Sequence, residues 1–199
     1  TQTLNAIESV NKEVKSKAGR TRLEYLEFVT PADMQRIKAM EIIPSIRPEV
    51  TLTDKLILNE TIKPENGQNL GLWSNLLKQN NIIISGTDFP YHTINPLVVM
   101  YYLSSGLAVD TAANRLTNNI AQKLSVLDAL KSFTVYSAFA SFAEEVKGTL
   151  EKDKFADMVV LSDDIVASDP AVLLKAKILM TIIRGEVVYE NKSPGALLY

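Results

Sequence analysis

Apolar positions recur along this chain in two periods. Leu4, Ile7, Val10 and Val14 fall at helical spacing with Glu8, Lys12, Glu13 and Lys15 between them, and Gly19 ends the pattern. That predicts an amphipathic surface helix. The segment TRLEYLEF reads next as a short strand. In TPADMQRIKAM, Thr30 stands at an N-cap position, Pro31 at the first helical position and Asp33 in the first turn, which together mark a helix start. EIIPSI is a second strand, closed by Arg47-Pro48. A polar loop with Pro64 and Gly67 leads to NLGLWSNLLKQN, a helix carrying Leu70, Trp73, Leu76 and Leu77 on one face. Ile82, Ile83 and Ile84 follow the polar Gln79-Asn80-Asn81 and predict a strand buried on both faces. Helix and strand thus alternate, the order of parallel βαβ units joined by right-handed crossovers.

Beyond the third strand, NPLVVMYYLSSG predicts a helix capped by Asn95, with Pro96 at its first position and Gly106 at its end. SVLDALKSFTVYSAFASFAEEV predicts one longer helix, opened by Ser125 with Asp128 three residues on. Its aromatics Phe133, Tyr136, Phe139 and Phe142 recur at helical spacing, which favours core packing over a stacking platform. The tail changes character. FADMVVLS and ILMTIIRGEVVYE predict short apolar strands, the second interrupted by an Arg184-Gly185 hairpin turn, so a small sheet follows the α/β body.

Composition narrows the function classes. With 199 residues, 46% hydrophobic and 22% charged, the chain can bury one sizeable core. A net charge of -2, with acids and bases mixed throughout, gives no footprint for nucleic acid or an anionic membrane. The absence of cysteine excludes disulfide scaffolds, zinc ribbons and thiol nucleophiles. No apolar run approaches the roughly 18 residues that span a bilayer, and no signal-peptide pattern opens the chain, so a cytoplasmic protein is the default expectation. The sequence starts TQTLNAIESV without an initiator Met and enters a helix at once, which reads as a fragment of a longer protein.

Ligands of parallel α/β folds bind at the carboxyl ends of the strands, so the candidate site residues are few. They are Glu24 and Tyr25 after the first strand, Arg47 after the second, and Asp88 with His92 after the third. Asp88, reached through Ser85-Gly86-Thr87, is either a site acid or a cap for the loop that follows. His92, the sole histidine, is either a ligand or an ordinary loop residue. Ser85, His92 and Asp88 spell a hydrolase triad on paper, but the G-x-S-x-G elbow is missing. One histidine and no cysteine leave a zinc site confined to this chain short of ligands.

Five segments carry a family resemblance: RLEYLEFVTPADMQRIKAMEIIPSIRP, SGTDFPYHTINPL, SVLDALKSFTVYSAFASFAEE, KGTLEKDKFADMVVLSDD and the closing MTIIRGEVVYE. Together they resemble the C-terminal part of a metal-dependent amidohydrolase of the family 3 branch, which includes formamide deformylase-like enzymes. The most specific pieces are Gly86-Thr87-Asp88-Phe89-Pro90 and the run Gly148, Leu150, Lys154, Ala156, Asp157. The resemblance implies an α/β fold, with residues 1–146 supplying strands six to eight of a (β/α)8 TIM barrel and residues 147–199 the C-terminal strands of a small β-sandwich. It implies that Asp88 is both metal ligand and proton shuttle, and that Tyr25, Arg47 and His92 line the substrate pocket. It further implies hydrolysis of a non-peptide C–N bond in a small molecule, with a divalent metal, zinc foremost, in the intact parent and none held tightly by this chain alone. Its partners would be that substrate and either a second copy or the N-terminal half, with no nucleic acid and no membrane.

Two motifs depart from the family. Arg-Ile-Glu-His reads Arg22-Leu23-Glu24-Tyr25, and Gln-Pro-x-His reads Arg47-Pro48-Glu49-Val50. A phenol is a poor ligand at neutral pH, so these changes disfavour a second metal ion and raise, as the rival expectation, a degenerate binding or regulatory protein.

Overall fold

The computed structural model describes residues 1–14, 19–49, 71–110, 115–117 and 122–192. The polar loop read around Pro64 and Gly67, together with Val50 and Leu70, lies outside the described residues. Helix α1 (Gln2–Val14) leads to strand β1 (Arg22–Leu23), α2 (Pro31–Ala39) and β2 (Ile43–Ile46). Then come α3 (Trp73–Asn80), β3 (Ile84–Ser85) and α4 (Pro96–Ser105). The three strands form one sheet in the order β1-β2-β3, with both pairings parallel. This is the βαβ arrangement that the alternating pattern predicts.

The two faces of that sheet differ. Ile42, Ile46 and Ile83 join Ile37, Trp73 and Leu76 of the covering helices in the main core. Trp73, Ile37, Ile46, Leu76 and Ile83 are fully buried there, which stabilises the sheet chiefly by removing apolar area from water. On the other face Ile43 and Ile84 pack against Ala140 and the rings of Tyr136 and Phe139. Toward the carboxyl ends this second face turns polar, with Glu24, Ser45 and Arg47 in a row.

Helix starts follow their caps. The Thr30 and Asn95 side chains accept hydrogen bonds from the backbone of Asp33 and Leu97, and Pro stands in the first turn of both helices. Gly106 closes α4 in the left-handed conformation at φ 71.

Three expectations need correction. The strand read over TRLEYLEF is ladder-bonded only at Arg22–Leu23, because Tyr25 adopts φ 56 and turns the chain out of the sheet. The isoleucine strand is displaced, since the ladder takes Ile84–Ser85, and Ile82 is only half-buried. The single long helix is two: α5 (Val126–Phe133) and α6 (Val135–Ala140), broken at Thr134 with φ -119 and ψ -91. Thr134 Oγ1 donates to Leu130 O at 2.9 Å, the local alternative that β-hydroxy residues offer a helix backbone. The break changes the fate of the aromatics. Phe142 lies past the helix end and is 69% exposed rather than core. It stacks with Phe139 on the Arg20 guanidinium, whose Cζ lies 4.5 and 3.7 Å from the two ring centroids. Arg20 also pairs with Glu144, which holds that carboxyl down at about 2.

Gly148 seats the next loop on α6: at φ +100, a Cβ there would stand 2.7 Å from Ala138 Cβ. The tail is an antiparallel sheet of β6 (Met158–Leu161), β7 (Ile178–Ile183) and β8 (Glu186–Glu190), with the predicted hairpin at Arg184 and Gly185, both at positive φ. A hairpin of β4 (Ala108–Asp110) and β5 (Arg115–Thr117), which the sequence patterning missed, lies between α4 and α5.

Candidate functional site

The ends of β1, β2 and β3 bring Tyr25, Arg47 and Asp88 to one rim. Tyr25 and Asp88 both adopt left-handed backbone, at φ 56 and φ 54, which non-glycine residues rarely take and which clusters at functional positions. They face each other. The Asp88 carboxylate beside the Tyr25 phenol, as a hydrogen-bond acceptor first, then with burial and its charge, raises the phenol above its ordinary value. The chain turns immediately after Asp88, with Tyr91 N donating to Asp88 O at 3.1 Å.

Arg47 is fixed by groups from its own and the neighbouring strands. Its Nη2 donates to Glu24 Oε2 at 2.9 Å, and its Nη1 to Ser45 Oγ at 3.0 Å and to Ile46 O at 2.9 Å. The Ser45 hydroxyl also donates to Glu24, and Arg22 Nε reaches the other Glu24 oxygen at 3.2 Å. Burial pushes the Glu24 carboxyl up, but Ser45, Arg47 and Arg22 together outweigh it and hold Glu24 below the usual range. Arg47 Cζ lies 5.7 Å from the Tyr25 ring centroid.

Two buried carboxyls were not singled out from the sequence. Glu27 accepts a hydrogen bond from Arg47 N, and burial drives its pKa up to about 7. Glu49 is also buried, and burial, with the charge of Asp88, raises it to about 7. His92 is brought to this second acid, with Nδ1 3.9 Å from Glu49 Oε2. The signal that could have found both is an acid inside an otherwise apolar run, as in LEFV and PEV. The Ser85-His92-Asp88 triad does not form, since His92 faces Glu49 and the buried Ser85 Oγ has no hydrogen-bond partner among the described residues.

A larger cavity of about 790 Å³ lies elsewhere, between α4, α5, α6 and the tail sheet, and is walled largely by apolar groups such as Met100, Phe133 and Ile182. It contains none of the rim residues. The carboxyls, the phenol and the guanidinium converge at the rim instead.

The sequence profile of the amidohydrolase family matches residues 1–189. The chain belongs to the amidohydrolase family. Over 196 residues it is 26% identical to YtcJ of Bacillus subtilis (strain 168), whose name places it among the amidohydrolases; the match covers 94% of this chain and 35% of YtcJ. The chain therefore spans about a third of the length of that relative. Among solved structures, a metal-dependent hydrolase from Pyrococcus horikoshii OT3 superposes with a TM-score of 0.68 at 21% identity, covering 85% of this chain and 34% of that one. Ochratoxinase from A. niger superposes with a TM-score of 0.61 at 17% identity, covering 89% and 39%. These likenesses place the mixed α/β architecture in the amidohydrolase fold.

Metal-dependent members of that fold raise the question whether these residues suit a divalent ion. Asp88 does, as one hard oxygen donor at a strand end. Among the described residues, however, no group of three or more His, Asp or Glu side chains is placed to hold a metal ion. Tyr25, protonated and bonded to Asp88, adds no further donor. The described residues thus fit one ligand of a metal site and not a complete one. Among them, no helix is long and apolar enough to cross a membrane.

Proposed function

We propose that this chain forms the C-terminal part of the catalytic barrel of a metal-dependent hydrolase that cleaves a non-peptide C–N bond in a small molecule. The observation that carries the reading is the Gly86-Thr87-Asp88-Phe89-Pro90 turn, with Asp88 beside the Tyr25 phenol at the carboxyl rim of a parallel sheet in an amidohydrolase-family chain. In this reading β1–β3 are strands six to eight, the tail sheet is the C-terminal portion of a β-sandwich, and the remaining metal ligands come from the N-terminal part of a longer parent. A divalent ion bound beside Asp88, zinc foremost, supplies a water of lowered pKa and polarises the scissile carbonyl.

The chain's own residues then perform the proton work. Asp88 takes a proton from the attacking water as the new C–O bond forms, and delivers it to the nitrogen as the C–N bond breaks. Tyr25 keeps the carboxylate in one orientation through its hydrogen bond. Arg47 and His92 present donors from the neighbouring loops to the bound substrate.

Replacing Asp88 with Asn preserves shape and removes the proton acceptor. With the parent protein assayed on a panel of formamides, N-acyl amines and cyclic amides, Asp88→Asn is expected to lower kcat by about 10² or more while the circular dichroism spectrum is unchanged. Unchanged turnover on a substrate that the parent hydrolyses defeats the reading. A second reading, a family member that binds without catalysis, draws on one observation: a phenol stands where the resemblance places an imidazole. It predicts that no compound of the panel is turned over.

A further inference from the structure

The mechanism above leaves one feature unexplained: the effort with which the fold immobilises the Arg47 guanidinium. Three hydrogen bonds hold it, to the Glu24 carboxylate, the Ser45 hydroxyl and the Ile46 carbonyl. Gly86 of the next strand makes room for it. A Cβ on Gly86 would lie 2.9 Å from Arg47 Cζ and 3.1 Å from both Nε and Nη1, so the guanidinium face rests on bare backbone.

A guanidinium has five N–H groups. Two Nη1 bonds and one Nη2 bond leave the Nε–H and one Nη2–H of Arg47 without a partner among the described residues. Arg22 and Arg47 share the single carboxylate of Glu24, so neither guanidinium has that acid to itself. The location of Arg47 ties it to the reacting group, since Tyr25 lies between the two, with its ring 5.7 Å from Arg47 Cζ and its phenol on Asp88.

We propose that Arg47 is the anchor for a carboxylate on the substrate, so that the preferred substrate class is a small amide carrying a carboxylate close to the scissile C–N bond. Glu24 is a positioning residue that holds the anchor, and Gly86 is the space it occupies. The planar fork of an arginine suits a carboxylate better than a lysine ammonium does, and an arm fixed in advance loses little freedom on binding. The proposal deepens the hydrolase reading and rests on it for the identity of the reacting bond, but the anchor itself is a binding property.

Binding without turnover therefore tests it. N-acetylglycine and its neutral analogue N-acetylglycinamide are titrated into the full chain and followed by calorimetry or protein NMR shifts. The wild type is expected to bind the carboxylate probe about 10-fold or more tightly than the neutral one. Arg47→Met removes that preference. Gly86→Ala lowers it although the arginine is still present, Glu24→Gln lowers it less, and Asp88→Asn keeps it. Equal affinity of the wild type for the two probes, or no binding of N-acetylglycine, overturns the anchor while leaving the Asp88 reading intact. A preference that survives both Arg47→Met and Gly86→Ala, in chains whose circular dichroism is unchanged, overturns it as well. Loss of turnover in Asp88→Asn has no bearing on these titrations, so the two readings fail separately.

Discussion

The parallel sheet and the tail sheet invert the usual relation between strand length and burial. Strands β1, β2 and β3 have two, four and two ladder residues, yet every residue of β2 is buried. Strands β6, β7 and β8 are four, six and five residues long, and none of their positions is fully buried. The tail sheet is held by neighbours in sequence through a tight hairpin, with Val159, Val187 and Val188 more than half exposed. The parallel sheet is held by α2 and α3 on one face, and on the other by α6 together with a hydrogen-bonded polar row. Rigid support for the rim comes from that enclosure rather than from ladder length, so Tyr25 and Asp88 are held at the ends of two-residue strands.

Stability measurements can break or sharpen this contrast. The largest effect is expected at Trp73, fully buried against the parallel sheet: Trp73→Ala lowers the unfolding free energy by about 4 kcal/mol in chemical denaturation. A loss below about 1 kcal/mol would show that the enclosure does not carry the fold. Next comes Glu27. Burial places its folded-state pKa at about 7 against an ordinary 4.5, so the folded chain binds that proton more tightly than the unfolded chain. The corresponding stability is complete below pH 4.5, declines as pH rises toward 7, and is gone above it, about 3 kcal/mol in all. Glu27→Gln should remove this part of the pH slope, and an unaltered slope refutes the assignment. The smallest effect belongs to the tail. Val187→Thr, at a position 54% exposed, should change stability by no more than about 0.5 kcal/mol. A cost several times larger would mean that the tail sheet is covered in solution, and the contrast between the sheets would narrow.

Much of this was legible from residues. Caps and stops with local causes were read correctly: Thr30 with Pro31, Asn95 with Pro96, Gly106, the Ser125–Asp128 pair and the Arg184-Gly185 turn all act through atoms within a few residues. The rim was legible too, because alternation fixes which ends of parallel strands meet. What escaped depends on distant neighbours. The setting of Phe142 beyond α6 depends on Arg20, and that of the next loop on the Gly148 contact with Ala138, neighbours that no window of local periodicity contains. Glu27 and Glu49 look like surface acids until their burial, and for Glu27 the Arg47 backbone amide, is seen. Ser45 reads as strand filler and Gly86 as part of the Gly86-Thr87-Asp88-Phe89-Pro90 motif, and their part beside Glu24 and Arg47 emerges only with the register.

The contact between Arg20 and Glu144 joins positions 124 residues apart in the chain. Closing a loop costs entropy that grows only with the logarithm of its length, about 0.6 kcal/mol for each doubling. A clasp of this kind is nearly indifferent to how much polypeptide it encloses. Insertions and deletions accumulating between those two residues over evolutionary time would barely loosen it, so the segments that bear the rim can be lengthened, shortened or exchanged for others while the ends that frame them stay fastened.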